Sequence, residues 1–255
     1  MRIRHALWVA VLLAAGVGSL VSASAGPELE LASVRPEVPS ELVRHTGYVT
    51  NYNPEWMQPN WVAYELTDRE AESYAASRET YSFVADPDVS RSPKRGDYAH
   101  SGYSQGHMVP AQDMRWSEEA MRDSHYFSNC CPQAAKLNNG RWKRVEEKMH
   151  ALAMQWGRLY VCCGPIVKPG HASIGPEERR IAVPDSFFKV VCGKKNGEWR
   201  AIGFVMPNRD CPGGMFQYAV PVDEVERLTG YDFFRNLPDD TERAVEASWR
   251  EADWQ

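Results

Sequence analysis

Trp142, Val145, Met149, Leu152 and Trp156 recur at steps of three, four, three and four, and no other feature constrains the fold so tightly. That spacing places all five side chains on one face of an α-helix. Lys143, Arg144, Glu147 and Lys148 fill the remaining surface, and Gly157 supplies a C-terminal stop. A helix of this kind must bury its stripe against a partner, and the sequence around it is strand-like. Residues 60–66 (NWVAYEL) precede it and mix aromatic with β-branched side chains. After it come the apolar runs 158–167 (RLYVCCGPIV), 186–192 (SFFKVVC) and 199–206 (WRAIGFVM). Asn196-Gly197 lies between the last two, a strong cue for a tight hairpin. A final helix is expected over 239–251. Strands, one strong helix and further strands predict an α+β fold.

The chain has 255 residues, 43% hydrophobic and 25% charged, which excludes a disordered chain and a multi-span membrane protein. No repeat, low-complexity tract or linker interrupts residues 42–250, so one domain is expected there. Residues 1–25 read as a signal peptide. Arg2, Arg4 and His5 form a basic start, residues 6–21 an uncharged and mostly apolar run, and Ala23-Ser24-Ala25 a cleavage site. The run is short for a membrane span. Export without an anchor, to the periplasm or the medium, is therefore expected, with residues 26–41 as a polar, Pro-rich leader. Six cysteines, at 130, 131, 162, 163, 192 and 211, fit an oxidising compartment and predict disulfides of undetermined pairing. Adjacent cysteines do not match the spacing of a zinc site.

Charge gives a divided answer about a polyanionic partner. Removing residues 1–25 leaves 27 basic and 34 acidic residues, a balance of −7. Within residues 91–150, however, ten Lys and Arg stand against seven acids. A local excess of this size permits a polyanion partner without demanding one.

The chemistry concentrates between Ser104 and Glu146. His107 follows Gly106, which leaves room beside the imidazole, and a neutral His can take a proton from water. Alone, a His is more often structural, Asn138 just before a helix reads as an N-cap, and Glu146 as a solvated charge. Together they describe a magnesium site. Glu146 lies eight residues beyond Asn138, about two helical turns, and so on roughly the same side. Mg²⁺ takes oxygen ligands and keeps several waters, so an amide oxygen and a carboxylate holding those waters suit it. Mn²⁺ favours the same donors. A nearby His completes a set able to activate water against a phosphodiester.

These residues resemble the DNA/RNA non-specific endonucleases, the family of mitochondrial endonuclease G and secreted bacterial nucleases. The resemblance rests on Gly106-His107, Ser128-Asn129 with Pro132-Gln133, Leu137-Asn138 with Trp142, and Glu146. It extends through Trp61-Val62-Ala63-Tyr64, Cys163-Gly164-Pro165, residues 183–189 (VPDSFFK), 201–208 (AIGFVMPN) and 222–226 (VDEVE), covering roughly 46–238. It implies a ββα-metal fold with a mixed central sheet and flanking helices, and DNA and RNA as substrates. It makes His107 the general base, Asn138 the direct Mg²⁺ ligand, Glu146 the holder of the metal's water shell, and Asn129 a supporting catalytic-site residue.

Two departures matter. Ser104-Gln105 stands where the family has Asp-Arg, and an earlier phosphate-contacting Arg is missing near Phe83 and Asp86-Pro87. A guanidinium grips two phosphate oxygens; the Gln105 amide offers a neutral donor. Gln105, Arg115 and Arg141 are the expected substrate contacts, with Arg78, Arg91, Lys94 and Arg95 as further cations that could reach in. The expected function is a secreted, Mg²⁺-dependent, sequence-nonspecific endonuclease. The alternative is a catalytically weakened nuclease fold that binds nucleic acid or a protein partner.

Overall fold

The structure is a computed structural model and describes residues 28–255; the expected signal peptide lies outside the described residues. Three antiparallel strands come first, β1 (Glu41–His45), β2 (Tyr48–Asn53) and β3 (Gln58–Thr67), followed by the short helix α1 (Asp68–Glu72). Strand β4 (Ser104–His107), helix α2 (Glu118–Asp123), strand β5 (Cys130–Gln133) and the long helix α3 (Lys143–Trp156) form the middle of the chain. Then come β6 (Arg158–Ile166), the short pair β7 (Ser173–Ile174) and β8 (Ile181–Ala182), and β9 (Ser186–Lys195). The chain closes with β10 (Glu198–Pro207), β11 (Ala219–Val220) and helices α4 (Val222–Thr229), α5 (Asp239–Glu246) and α6 (Glu251–Trp254).

The central sheet has seven strands in the order β1-β2-β3-β6-β9-β10-β11. The α+β class holds, and every pairing in this sheet is antiparallel, where the sequence reading expected a mixed sheet. The stripe on α3 is buried as its period demands: Val145, Met149 and Leu152 pack with Leu66, Val161 and Val191 on one face of the sheet. Gly157 ends the helix in the left-handed conformation at φ 84°. The hairpin between β9 and β10 turns on Asn196 (φ 54°) and Gly197 (φ 84°), so both turn residues adopt the positive φ that a two-residue turn needs.

Val222 and Val225 of α4, with Phe233 and Phe234, cover the other face against Val190 and Ala201. The leader joins this layer. Leu29, Leu31 and Ala32 are buried in it, and Ser33 bridges to Asp232. The helix expected over 239–251 forms as α5 and α6, with a break between them that lets Trp254 turn inward. Its indole is fully buried, and its ring centroid lies 4.9 Å from that of Trp156.

The disulfide expectation is corrected: all six cysteines are free, buried thiols. Successive side chains on a strand point to opposite faces. Each vicinal pair is therefore split, with Cys131 and Cys163 in one core, Cys162 in the opposite layer and Cys130 in a third cluster. Cys162 and Cys192 share a face, but Cys162 stands opposite Val190 and Cys192 opposite Tyr160. Such diagonal neighbours are about 7–8 Å apart, beyond ordinary disulfide geometry.

Because Trp254 fills space in the α3 layer, Trp254→Ala should destabilise the fold by about 3 kcal/mol, the usual cost of a large aromatic truncation. Chemical denaturation checks this, and a loss below about 1 kcal/mol would show the C-terminal turn to be dispensable.

Candidate active site

Strands β4 and β5 form a separate two-stranded ribbon, with Ser104 opposite Gln133 and His107 opposite Cys130. From β5 the chain passes through residues 134–142 into α3, giving a ββα unit. Gly106 is required by close packing within this ribbon: a Cβ there would lie 2.6 Å from the Gln133 Cβ. His107, beside it, is carried on the ribbon's edge and nine-tenths buried.

Asn129 fixes the chain just beyond His107. Its Oδ1 accepts from the Val109 N–H at 2.9 Å, and its Nδ2 donates to the carbonyls of Val109 (3.0 Å) and Ser124 (2.8 Å). The Met108 N–H adds a bond to the Asn129 carbonyl at 3.0 Å. The side chain is fully buried and spends its polar atoms on backbone, so it positions His107 without facing the cleft.

The His107 ring centroid lies 4.4 Å from that of Phe83 and 4.9 Å, edge-on, from that of His125. Its Nε2 is buried without a hydrogen-bond partner among the described residues. Burial holds the imidazole well below the usual histidine range, and the His125 ring and the Arg78 charge push the same way. The ring is therefore neutral near pH 7 and able to accept a proton.

Asn138 enters from the helical side. The chain between β5 and α3 makes a wide π-helical turn over Leu137–Trp142, broken at Gly140 (φ −108°, ψ −108°). Insertions of this kind redirect side chains and recur at functional sites. Asn138 lies inside this helical run, with its N–H bonded to the Ala134 carbonyl at 2.9 Å, and its side chain makes no capping bond among the described residues. Glu146, on α3, has one carboxylate oxygen buried without a partner. Burial pushes its carboxyl up to about 8; the Lys189 ammonium opposes that rise and Asp113 adds to it. Lys189 is fully buried, with its Nζ 3.4 Å from the Met108 carbonyl and 4.6 Å from the Trp142 ring centroid.

His107, Asn138 and Glu146 line one cleft of about 150 Å³. Asp113, His150 and Arg78 line it too. His150 follows Glu146 by one helical turn. Its Nδ1 lies 2.8 Å from Asp113 Oδ1, and Tyr64 donates its hydroxyl to the other Asp113 oxygen at 2.9 Å. Through Arg78 and His107 the cleft joins a broader groove of about 570 Å³, lined by Tyr81, Phe83, Tyr103, Arg95 and Gln105. An amide oxygen and an unpartnered carboxylate oxygen suit a hard cation such as Mg²⁺, and the cost of the buried Glu146 charge is relieved by positive charge beside it.

Two of the expected substrate contacts lie away from the cleft and the groove. Arg115 stacks over Tyr74 at 4.3 Å, and Arg141 donates to the carbonyls of Cys211 (3.4 Å) and Gly213; neither lines the cleft or the groove. Arg141 directly follows the Gly140 break and is held by the segment around Cys211 and Gly213. Of the further cations, Arg91 is tied to the Glu178 carbonyl at 3.0 Å, whereas Arg78 lines both cavities and Arg95 the groove. His150 and Lys143 also line the cleft and were not singled out from sequence, although both share the helical face of Glu146 at steps of four and three. Asp113 carries no local sequence signal.

An antiparallel ββα unit that gathers a neutral imidazole, an amide oxygen and a carboxylate belongs to the hydrolytic class able to activate water beside a cation. Residues 31–240 match the sequence profile of the DNA/RNA non-specific endonucleases, and the chain belongs to that family. It is 32% identical over 219 residues to the mitochondrial nuclease 1 of Schizosaccharomyces pombe, covering 79% of this chain and 68% of that protein. It is 30% identical over 241 residues to mitochondrial endonuclease G of Bos taurus, covering 89% of this chain and 80% of that protein. Among solved structures, an endonuclease G in complex with its inhibitor EndoGI matches with a TM-score of 0.74 at 26% identity, covering 79% of this chain and 89% of that one.

The geometry separates the arginines by consequence. Arg78→Ala should lower kcat/KM on a short duplex by roughly 10², the cost of losing a charge-stabilising donor, while Arg115→Ala and Arg141→Ala should change it little. Steady-state cleavage assays decide, and an unaffected Arg78 variant would remove that side chain from the site.

Proposed function

We propose that the chain is an exported, Mg²⁺-dependent endonuclease that hydrolyses DNA and RNA without sequence preference. The observation that carries this reading is the convergence of neutral His107, Asn138 and the unpartnered Glu146 oxygen in one cleft. His107 acts as general base. It takes a proton from water as the water oxygen bonds to phosphorus and the bond to the leaving oxygen breaks. Asn138 would hold Mg²⁺ directly, and Glu146 would hold its water shell; Mn²⁺ would suit the same donors. When bound, the cation supplies charge that stabilises the phosphoryl oxygens.

Arg78 takes the role of the missing family arginine and pairs with phosphoryl oxygens as a charged fork. His150, held through Nδ1 by Asp113, offers its other nitrogen to the phosphate. The groove adds aromatic side chains and Arg95 for the nucleic acid strand, with Gln105 among them as a neutral contact. Contacts of these kinds go to phosphates and base faces, which explains cutting without sequence preference.

The relatives are named as mitochondrial. Export is supported here because residues 6–21 form an uncharged apolar run, whereas a transit peptide is amphipathic and Arg-rich. Neutral Gln105 in place of a cation favours a second reading, a catalytically weakened nucleic-acid binder. Arg78 at the junction of cleft and groove weighs against it.

His107→Ala should reduce cleavage by at least about 10² without unfolding the chain. The pH profile supplies an independent check. The base works only when deprotonated, and its pKa lies below 6.5, so activity should persist as pH falls through 6.5 and decline only at lower pH. A His107→Ala enzyme near wild-type rate, or an acid limb above pH 7, contradicts the assignment.

A further inference from the structure

On the face of the sheet opposite α3, helices α4 and α5 bring acids together, while Arg227 and Arg243 on the same helices pair with Glu224 and Asp240. Asp223 and Glu226 lie on α4, Asp232 in the connection, and Glu242 and Glu246 on α5. The charged neighbours that act most strongly on Glu246 are acids: Glu226, Glu242, Asp223 and Asp232. Carboxylate oxygens of Asp223, Glu226 and Glu246 all lie within 4.8 Å of one another. Glu246 is only 4% exposed, and its Oε1 is buried with no hydrogen-bond partner among the described residues. Glu226 uses one oxygen to accept from the Phe233 N–H at 2.9 Å. Asp223 is exposed and gives an ion a way in from solvent.

A buried carboxylate without a partner is costly, and one surrounded by other carboxylates more so. Either a shared proton or a cation relieves it. Three carboxylates within 4.8 Å of one another, one of them buried and unpartnered among the described residues, call for positive charge. A divalent ion answers that call across all three groups, where a proton answers it at one. Calcium takes six to eight oxygens in flexible geometry, so three carboxylates completed by water suit it; Mg²⁺ demands near-ideal octahedral geometry.

We propose that Asp223, Glu226 and Glu246 form a calcium site that ties α4 to α5, apart from the catalytic cleft. Its ligands come from two helices, so occupancy stabilises the layer that covers the second face of the sheet. The catalytic residues lie on the ββα unit and are untouched by it.

Thermal unfolding of the EDTA-treated full chain tests this with Ca²⁺ alone as the probe. At calcium about a hundredfold above Kd, Tm should rise by about 5 °C, and Mg²⁺ at equal concentration should give a smaller rise. Asn138→Ala, which weakens the cleft, should keep the calcium response. Glu246→Gln should lose it, keep its Mg²⁺-supported cleavage, and unfold close to wild type without calcium, because an amide replaces the protonated carboxyl with little change of shape. Asp223→Asn, at an exposed position, carries the same test should Glu246→Gln fail to fold. No calcium shift in wild type, an unchanged shift in Glu246→Gln or Asp223→Asn, or its loss in Asn138→Ala overturns the proposal.

Discussion

The three side-chain hydrogen bonds of Asn129 are the constraint on which the site depends. They clamp the backbone at Val109 and Ser124, both in the connection between β4 and β5, beyond the end of the ribbon that carries His107. A two-stranded ribbon is marginal by itself, so its catalytic edge needs bonds from outside its own ladder. With Asn129 fully buried, those bonds form away from water and resist exchange with it. The imidazole is thus held by backbone geometry, and its Nε2 is left without a partner among the described residues.

From that clamp the electrostatics of the cleft follow. His107 is kept neutral because it is pressed among Phe83 and His125 and out of water. Glu146 carries an oxygen unpaired among the described residues a short way along α3, with the Lys189 ammonium as the main charge opposing the effect of burial. Lys189 is itself buried against Trp142, a residue of the α3 stripe. Packing and chemistry therefore share one helix: the stripe seats α3 on the sheet, while Glu146 and His150 stand on the side that faces His107.

Much of this was legible in the chain. The 3.6-residue stripe and the Asn196-Gly197 turn are local signals that tertiary contacts reinforce, and both produced the elements they announce. Strand β2 gave no such signal, because its buried Thr50, Asn51 and Asn53 read as polar loop. Asn51 and Asn53 are buried only because Asn60, across the sheet, bonds to both. The cysteines misled for a similar reason: an apolar interior accepts a free thiol as a small hydrophobe. Within the site, His107, Asn138 and Glu146 were readable through their combination and their likeness to a family. The arginines were not, since a guanidinium's reach depends on where loops fold; Arg78 comes from a short exposed turn far away in sequence.

The central claim is that this cleft hydrolyses phosphodiester bonds with the help of a bound divalent cation. Conversion of supercoiled plasmid by the purified wild-type chain tests it most directly, with EDTA and then with Mg²⁺ restored in excess. Nicked and linear products should be absent in EDTA and return with Mg²⁺, with fragments distributed across the plasmid. Cutting that persists in EDTA, or no cutting with Mg²⁺ restored, would contradict the account.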